Sequence, residues 1–193
     1  MTLISLIHSR RLLKIWIYLD FIILRKNSKK FLRKNMDTFS HTLWGYGLFG
    51  YRRHTWLALM FGALPDLCSF GAYLLLRLLD GSFQPGPPPL GLMPGWLFIS
   101  YDIWHSFVIC IPVIGLVALW RRDIAFAMLG WPFHIVLDFP FHSLRYFPTP
   151  IFWPISDFTI DGIPWSNPKI WLPNIAGLIV LLAYRHHQKR KKL

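Results

Sequence analysis

The chain has 193 residues, is 54% hydrophobic, and carries 10 Trp, 16 Phe and a formal net charge of +12. That length suits one compact domain, and the recurrent apolar runs point to a polytopic membrane protein rather than a soluble one. Nine Asp and no Glu are present, so any carboxylate ligand or base is one of those nine. The two cysteines, Cys68 and Cys110, lack metal-finger spacing and read as buried thiols packed as small hydrophobes.

The charge is concentrated at the ends. Residues 1–36 hold nine Lys/Arg against Asp20, and 185–193 hold five with no acid; the seven between them face eight Asp. Basic ends beside apolar segments suit a cytoplasmic membrane surface lined by anionic lipid, and nucleic-acid binding is not expected.

In chain order, 1–35 reads as a basic N-terminal extension. Its apolar stretch Leu12–Leu24 contains Lys14 and Asp20 and is too short and too charged to span a bilayer. An amphipathic surface helix is one reading of it. Another is that translation starts at Met36. From 36 to 184 the pattern predicts a membrane-embedded domain, and 185–193 is a basic tail. A short helix is expected over about Thr38 to Gly50. Spans are expected over about Thr55 to Leu79, Tyr101 to Trp120, Asp123 to His142 and Ile170 to Tyr184. The fold class is therefore all-α, a polytopic membrane helical bundle with about four spanning helices plus the short N-terminal one. Arg52, Arg53, Arg121, Arg122 and the tail fall on one side if the spans alternate, which makes that side cytoplasmic. Two proline-rich loops, 80–100 and 143–168, lie opposite, either as a lid over the outer end or as stiff connectors.

His41, Asp66, His105, His134 and Asp138 are ligand-type residues inside these apolar segments, where an ionisable side chain is a functional-site hypothesis. At helical rise, His41, Asp66 and His134 lie roughly 17–20 Å from the Arg-rich turns, and His105 and Asp138 roughly 24 Å. All five therefore share a slab on the order of 7 Å deep. His134 and Asp138, four apart, occupy one helix face, as do paired ligands in helical zinc sites. His142 extends that face beyond Pro140, which can end or kink the helix.

Imidazole and carboxylate donors without thiolate suit a divalent metal, zinc first and manganese or iron next. Asp102, His142 and Asp157 are candidates for a general base or for support of the ligands. Arg77 and Arg145 are candidates for holding a phosphate. The remaining polar group on the outer side is Asp161.

Five stretches resemble the YdjM-type (LexA-regulated) family of membrane-bound metal-dependent hydrolases. They are Met36-Asp37-Thr38-Phe39-Ser40-His41, Gly62-Ala63-Leu64-Pro65-Asp66, Trp104-His105-Ser106, His134-Ile135-Val136-Leu137-Asp138 and Pro150-Ile151-Phe152-Trp153-Pro154-Ile155-Ser156. That family is related distantly to zinc-dependent phospholipase C and single-strand nucleases. The resemblance covers about residues 36–160 and implies His41, Asp66, His105, His134 and Asp138 as metal ligands. It also implies a multi-pass protein of the bacterial inner membrane with its basic tail in the cytoplasm. The chain departs from the family at Tyr101-Asp102-Ile103-Trp104, where Arg-Gly-x-Thr is usual. It departs again at Phe139-Pro140-Phe141-His142, where Thr and Gly are usual. These departures bear on the substrate more than on the fold.

The function expected from the resemblance is attack by metal-activated water on a phosphoester of a lipid or envelope precursor. Membrane lipids and a lipid-like substrate are the expected partners. The rival reading is a non-catalytic membrane protein whose His/Asp cluster handles metal or protons.

Overall fold

A computed structural model describes residues 28–84, 86 and 88–191, the first ten of these as backbone only. The Leu12–Leu24 segment lies outside the described residues. Contacts divide the chain into Met1–Met36 and Asp37–Leu193.

The described residues are helical, without strands. The helices are α1 (Ser28–Phe49), α2 (Thr55–Asp66), α3 (Ala72–Leu79), α4 (Gly95–Trp104), α5 (Phe107–Trp120), α6 (Arg122–Met128), α7 (Gly130–Asp138) and α8 (Pro168–Arg190). A five-residue π turn, Leu67–Gly71, joins α2 to α3 into one helix of 25 residues. Pro65 lies just before this turn and has no N–H to give the Phe61 carbonyl. The Ser69 hydroxyl donates 2.8 Å to the Pro65 carbonyl and helps satisfy what the turn leaves open.

Three further irregularities follow from named residues. Helix α4 ends at Trp104 and α5 begins at Phe107, His105 and Ser106 lying between them and the axes bending by 52°. Ser106 builds this bend, its Oγ accepting from Val108 N at 3.1 Å and donating to the Trp153 carbonyl at 2.5 Å. The Phe107 amide adds a bond to the Ile151 carbonyl. Helices α6 and α7 are separate because Pro132 lacks the amide that would bond to Met128 and continue the ladder. Asn167 caps α8, accepting from Lys169 N at 3.0 Å, with Pro168 at the first helical position.

Small residues let the helices cross closely. A Cβ on Gly45 would lie 2.5 Å from the Ala58 carbonyl oxygen, one on Gly62 2.5 Å from that of His41, and one on Gly130 3.0 Å from the Gly62 nitrogen. Helices α1, α2 and α7 thus meet backbone to backbone, as membrane helices do at small-residue contacts. Helix α8 joins through Gly177 under the Trp44 ring and through Asn174, which accepts from Trp44 Nε1 at 2.7 Å and donates to Ser40 Oγ at 2.9 Å.

The Arg-rich turns gather at one end. His54 Nε2 lies 2.5 Å from Asp123 Oδ2, joining the α1–α2 turn to the α5–α6 turn. This contact, then Arg121, holds the Asp123 carboxyl well below the usual range. The Arg52 guanidinium stacks 3.7 Å over Phe126, and Arg185 of α8 stacks 3.9 Å over Tyr51.

Among the described residues, one helix, Thr55–Leu79, is long and apolar enough to cross a membrane, with mean hydropathy 1.6. The bent pair Gly95–Trp104 and Phe107–Trp120 passes the same test if taken as one broken span. The segment expected as a third span is divided at Leu129, and α8 does not meet the test. Large apolar side chains nevertheless face outward along several helices. They include Leu75, Leu78 and Leu79 on α3, Ile111, Leu116 and Leu119 on α5, and Ile179 and Val180 on α8.

Candidate metal centre

Each helix irregularity places one polar residue at the same point. Asp66 is the last residue of α2, at the mouth of the π turn. His105 occupies the α4–α5 bend. His134 and Asp138 are one turn apart on α7, Asp138 being its last residue. One ligand atom from each of these four lies within 4.8 Å of every other, so the buried cluster could hold a metal ion. His105, His134 and Asp138 are almost fully buried, and the Asp66 side chain is 13% exposed.

The hydrogen bonds around the cluster fix which ring atom faces inward. His105 Nδ1 lies 2.8 Å from the Tyr101 carbonyl oxygen, and His134 Nδ1 lies 2.8 Å from that of Gly62. A carbonyl only accepts, so both Nδ1 atoms carry the proton and both Nε2 atoms present lone pairs in the neutral rings. Those two Nε2 atoms are 3.2 Å apart. Asp138 Oδ2 lies 3.2 Å from His105 Nε2 and 3.0 Å from His134 Nε2. Asp66 Oδ1 closes the figure at 3.9 and 3.7 Å from the same nitrogens. Thr38 Oγ1 donates 2.5 Å to Asp66 Oδ2, leaving Oδ1 to face the cluster.

With both rings neutral, lone pairs therefore converge on one point. Asp138 Oδ2 is buried and accepts no well-formed hydrogen bond. A buried carboxylate in that state costs several kcal/mol unless a cation or proton neutralises it. A single proton on one ring would bridge only one pair, whereas a divalent ion serves all four donors. The separations fit as well. Donors about 2.0–2.2 Å from one ion are roughly 2.8–3.6 Å from each other in octahedral or tetrahedral arrangements, which brackets the 3.0–3.2 Å contacts, while Asp66 Oδ1 at 3.7 and 3.9 Å stands slightly wide of them. The set passes the test for a divalent metal with nitrogen and oxygen ligands. Each histidine also has the carbonyl partner that such ligands use to fix ring and tautomer.

His41 stands one step outside this cage. Its Nε2 lies 2.8 Å from Asp138 Oδ1, the oxygen turned away from His105 and His134, and its ring tilts against His134 with centroids 4.0 Å apart. His142 approaches the same oxygen at 3.7 Å through Nε2, while its Nδ1 lies 2.7 Å from the Phe147 carbonyl. Tyr101 OH, 2.9 Å from His142 Nδ1 and 3.0 Å from Thr149 Oγ1, ties that ring to the buried core.

The other expected residues stand apart from the cage. Asp102 on α4 is partly buried and feels the charge of the exposed Asp157, and neither makes a cage contact. Arg77 bonds through Nη2 to the Ser82 carbonyl and lines an outer cavity of about 380 Å³ with Tyr73, Asp80 and Gln84. No cage residue lines that cavity. Arg145 is exposed in the tight turn Ser143–Tyr146.

Nothing in the sequence singled out Thr38, Tyr101, Gly62 or Trp165. Trp165 donates its indole N–H to Asp138 Oδ1 at 3.3 Å and meets His41 edge-on, centroids 5.4 Å apart. Thr38 and Tyr101 leave a faint signal in retrospect. Tyr101 is four residues before His105, the spacing at which a helix carbonyl meets a side chain at the helix end. Thr38 lies one helical turn before His41, where its hydroxyl faces the same side.

Comparison with known proteins returns no family model, no curated protein and no solved structure that matches this chain.

Proposed function

We propose that this chain is a membrane-bound metal-dependent hydrolase of the YdjM type, cleaving a phosphoester of a lipid or envelope precursor at the bacterial inner membrane. The observation that carries the reading is the convergence of His105 Nε2, His134 Nε2, Asp138 Oδ2 and Asp66 Oδ1 on one buried point, with both Nδ1 atoms turned to backbone carbonyls.

His105 and His134 would hold the metal through nitrogen, Asp138 and Asp66 through oxygen. Zinc is the first choice, with manganese or iron compatible. A divalent ion bound there supplies a Lewis acid and lowers the pKa of a water ligand towards about 7.

The chain's own residues supply the rest. Thr38 and Trp165 each hold one carboxylate oxygen of Asp66 and Asp138, so that the other faces the cage. His142, with Nδ1 bonded to the Phe147 carbonyl, presents Nε2 beside Asp138 and can take a proton there. Asp66 is the most exposed of the four residues, which favours a substrate opening on its side. The outward apolar faces of α3, α5 and α8 suit an acyl-chain environment, and the basic cluster of turns and tail suits the cytoplasmic surface.

The test is metal content by elemental mass spectrometry on detergent-purified chain, wild type beside His134→Ala and Asp66→Asn. About one equivalent or more of zinc, manganese or iron is expected in the wild type, with loss in both variants. Folded wild type, never exposed to chelator and free of metal, would overturn the hydrolase reading. Metal retained by the wild type, yet no turnover across lipid and phosphomonoester substrates, would favour metal handling without catalysis.

A further inference from the structure

The segment Asp161-Gly162-Ile163-Pro164-Trp165 is a strap laid across the end of α7. Its backbone pairs with the turn that follows Asp138. Gly162 N donates 2.8 Å to the His142 carbonyl, and Ile163 N donates 3.0 Å to that of Pro140. Asp161 Oδ1 accepts from Leu144 N at 3.0 Å. Gly162 is required by this pairing, since a Cβ there would drive into the carbonyls of Pro140 and His142.

The strap delivers one side chain to the cage. Trp165 packs on Phe141 with ring centroids 4.6 Å apart, meets the edge of His41, and places Nε1 on Asp138 Oδ1.

We propose that Trp165 is a positioning residue for the metal centre. It sets the rotation of the Asp138 carboxylate, so that Oδ2 alone enters the cage. This rests on the metal reading above and adds the residue that orients its buried anion.

The terminal torsion of Asp is broad, so nothing in the side chain alone decides which oxygen faces the histidines. Both oxygens of Asp138 are nevertheless spoken for on different sides. Oδ2 sits at 3.0 and 3.2 Å from His134 and His105, and Oδ1 sits at 2.8 Å from His41 and 3.3 Å from the indole nitrogen. Indole N–H is a donor only, so it prefers the carboxylate in every protonation state of the histidines around it. Outer partners of this kind tune metal affinity by about 10–100-fold. The α7 helix ends at Asp138 itself, leaving no further helical turn to brace the residue. The strap supplies that brace from 27 residues away.

The experiment uses Co²⁺ as the probe on the detergent-purified full chain, with affinity by titration and coordination by visible absorption. Trp165→Phe keeps the ring against His41 and Phe141 but removes the N–H. Gly162→Ala keeps the indole N–H but lifts the strap that carries it away from Asp138. The exposed Trp120→Phe is the control. Expected is a Co²⁺ affinity about 10–100-fold weaker in both strap variants. Their absorption band should be altered, with unchanged helical circular dichroism and a control like the wild type. Unchanged affinity and spectrum in either folded strap variant, with wild type binding Co²⁺, overturns the positioning role and leaves the metal reading standing. A wild type that binds no Co²⁺ overturns both.

Discussion

Asp138 is the most consequential side chain in the molecule. It is buried, it reaches four histidines and a tryptophan, and its inward oxygen has no hydrogen-bond partner. Its charge is unfavourable without a cation and favourable with one. Asp138→Asn should therefore separate two effects. Without metal, the variant should be at least as stable as the wild type, because a neutral amide is cheaper to bury than an uncompensated carboxylate. With metal at a hundredfold excess over its Kd, the wild type should gain about 2.7 kcal/mol. In a chain of this size that raises Tm by about 5–10 °C. The variant should gain little. Thermal melts with and without added Zn²⁺ read both effects, and equal metal-dependent shifts in the two proteins would argue that Asp138 is no ligand. The identity of Asp138, His105, His134 and Asp66 as candidates was legible in the sequence, because ionisable groups in apolar runs are conspicuous. Their support was not. Trp165 lies in a proline-rich loop with no periodic pattern, and one more Trp among ten carries no signal. The partition between His41 and the other histidines was hidden too, since depth along a helix does not say which oxygen of a carboxylate a ring will meet.

At the scale of elements, the cage depends on how closely α1, α2 and α7 approach. The Gly62 carbonyl accepts from His134 Nδ1, and a Cβ on Gly62 would strike the His41 carbonyl 2.5 Å away. One glycine thus orients one cage histidine and admits the helix that bears His41. Gly62→Ala should cost about 1–3 kcal/mol by overpacking. It should also weaken metal binding, because the carbonyl that fixes the His134 tautomer must move. A Tm loss with Co²⁺ affinity intact would show that the crossing serves packing alone. The helices themselves were readable from hydrophobic runs, but their breaks less so. The α6–α7 break follows from Pro132, Pro65 stands just before the π turn, and both prolines are visible in the sequence. What the pattern could not supply is the outcome at each proline. Pro112 and Pro173 lie inside α5 and α8, which continue through them. The sequence pattern alone does not separate the prolines that interrupt a helix from those the helix absorbs.

For the whole molecule, the basic turns and the polar loops lie on different ends of the long helix Thr55–Leu79. Arg52 and Arg53 precede its start, and Arg77, Asp80 and Ser82 attend its finish. At 1.5 Å per residue, 25 residues give roughly 37 Å, enough to cover a hydrocarbon core of about 30 Å with some tilt. Its outward Leu75, Leu78 and Leu79 are exposed and have no protein to cover them among the described residues. If this helix spans the bilayer, the two ends answer differently to a reagent that cannot cross it. Arg53→Cys and Ser82→Cys, each in a Cys68→Ser, Cys110→Ser background, should be labelled from opposite sides by a membrane-impermeant maleimide. Intact spheroplasts should modify Ser82→Cys and spare Arg53→Cys until they are lysed, because the Arg-rich end is retained in the cytoplasm. Labelling of both in intact spheroplasts would mean that the helix does not cross, and that its apolar face is covered by another protein. Labelling of Arg53→Cys alone would invert the orientation, with the Arg-rich end outside.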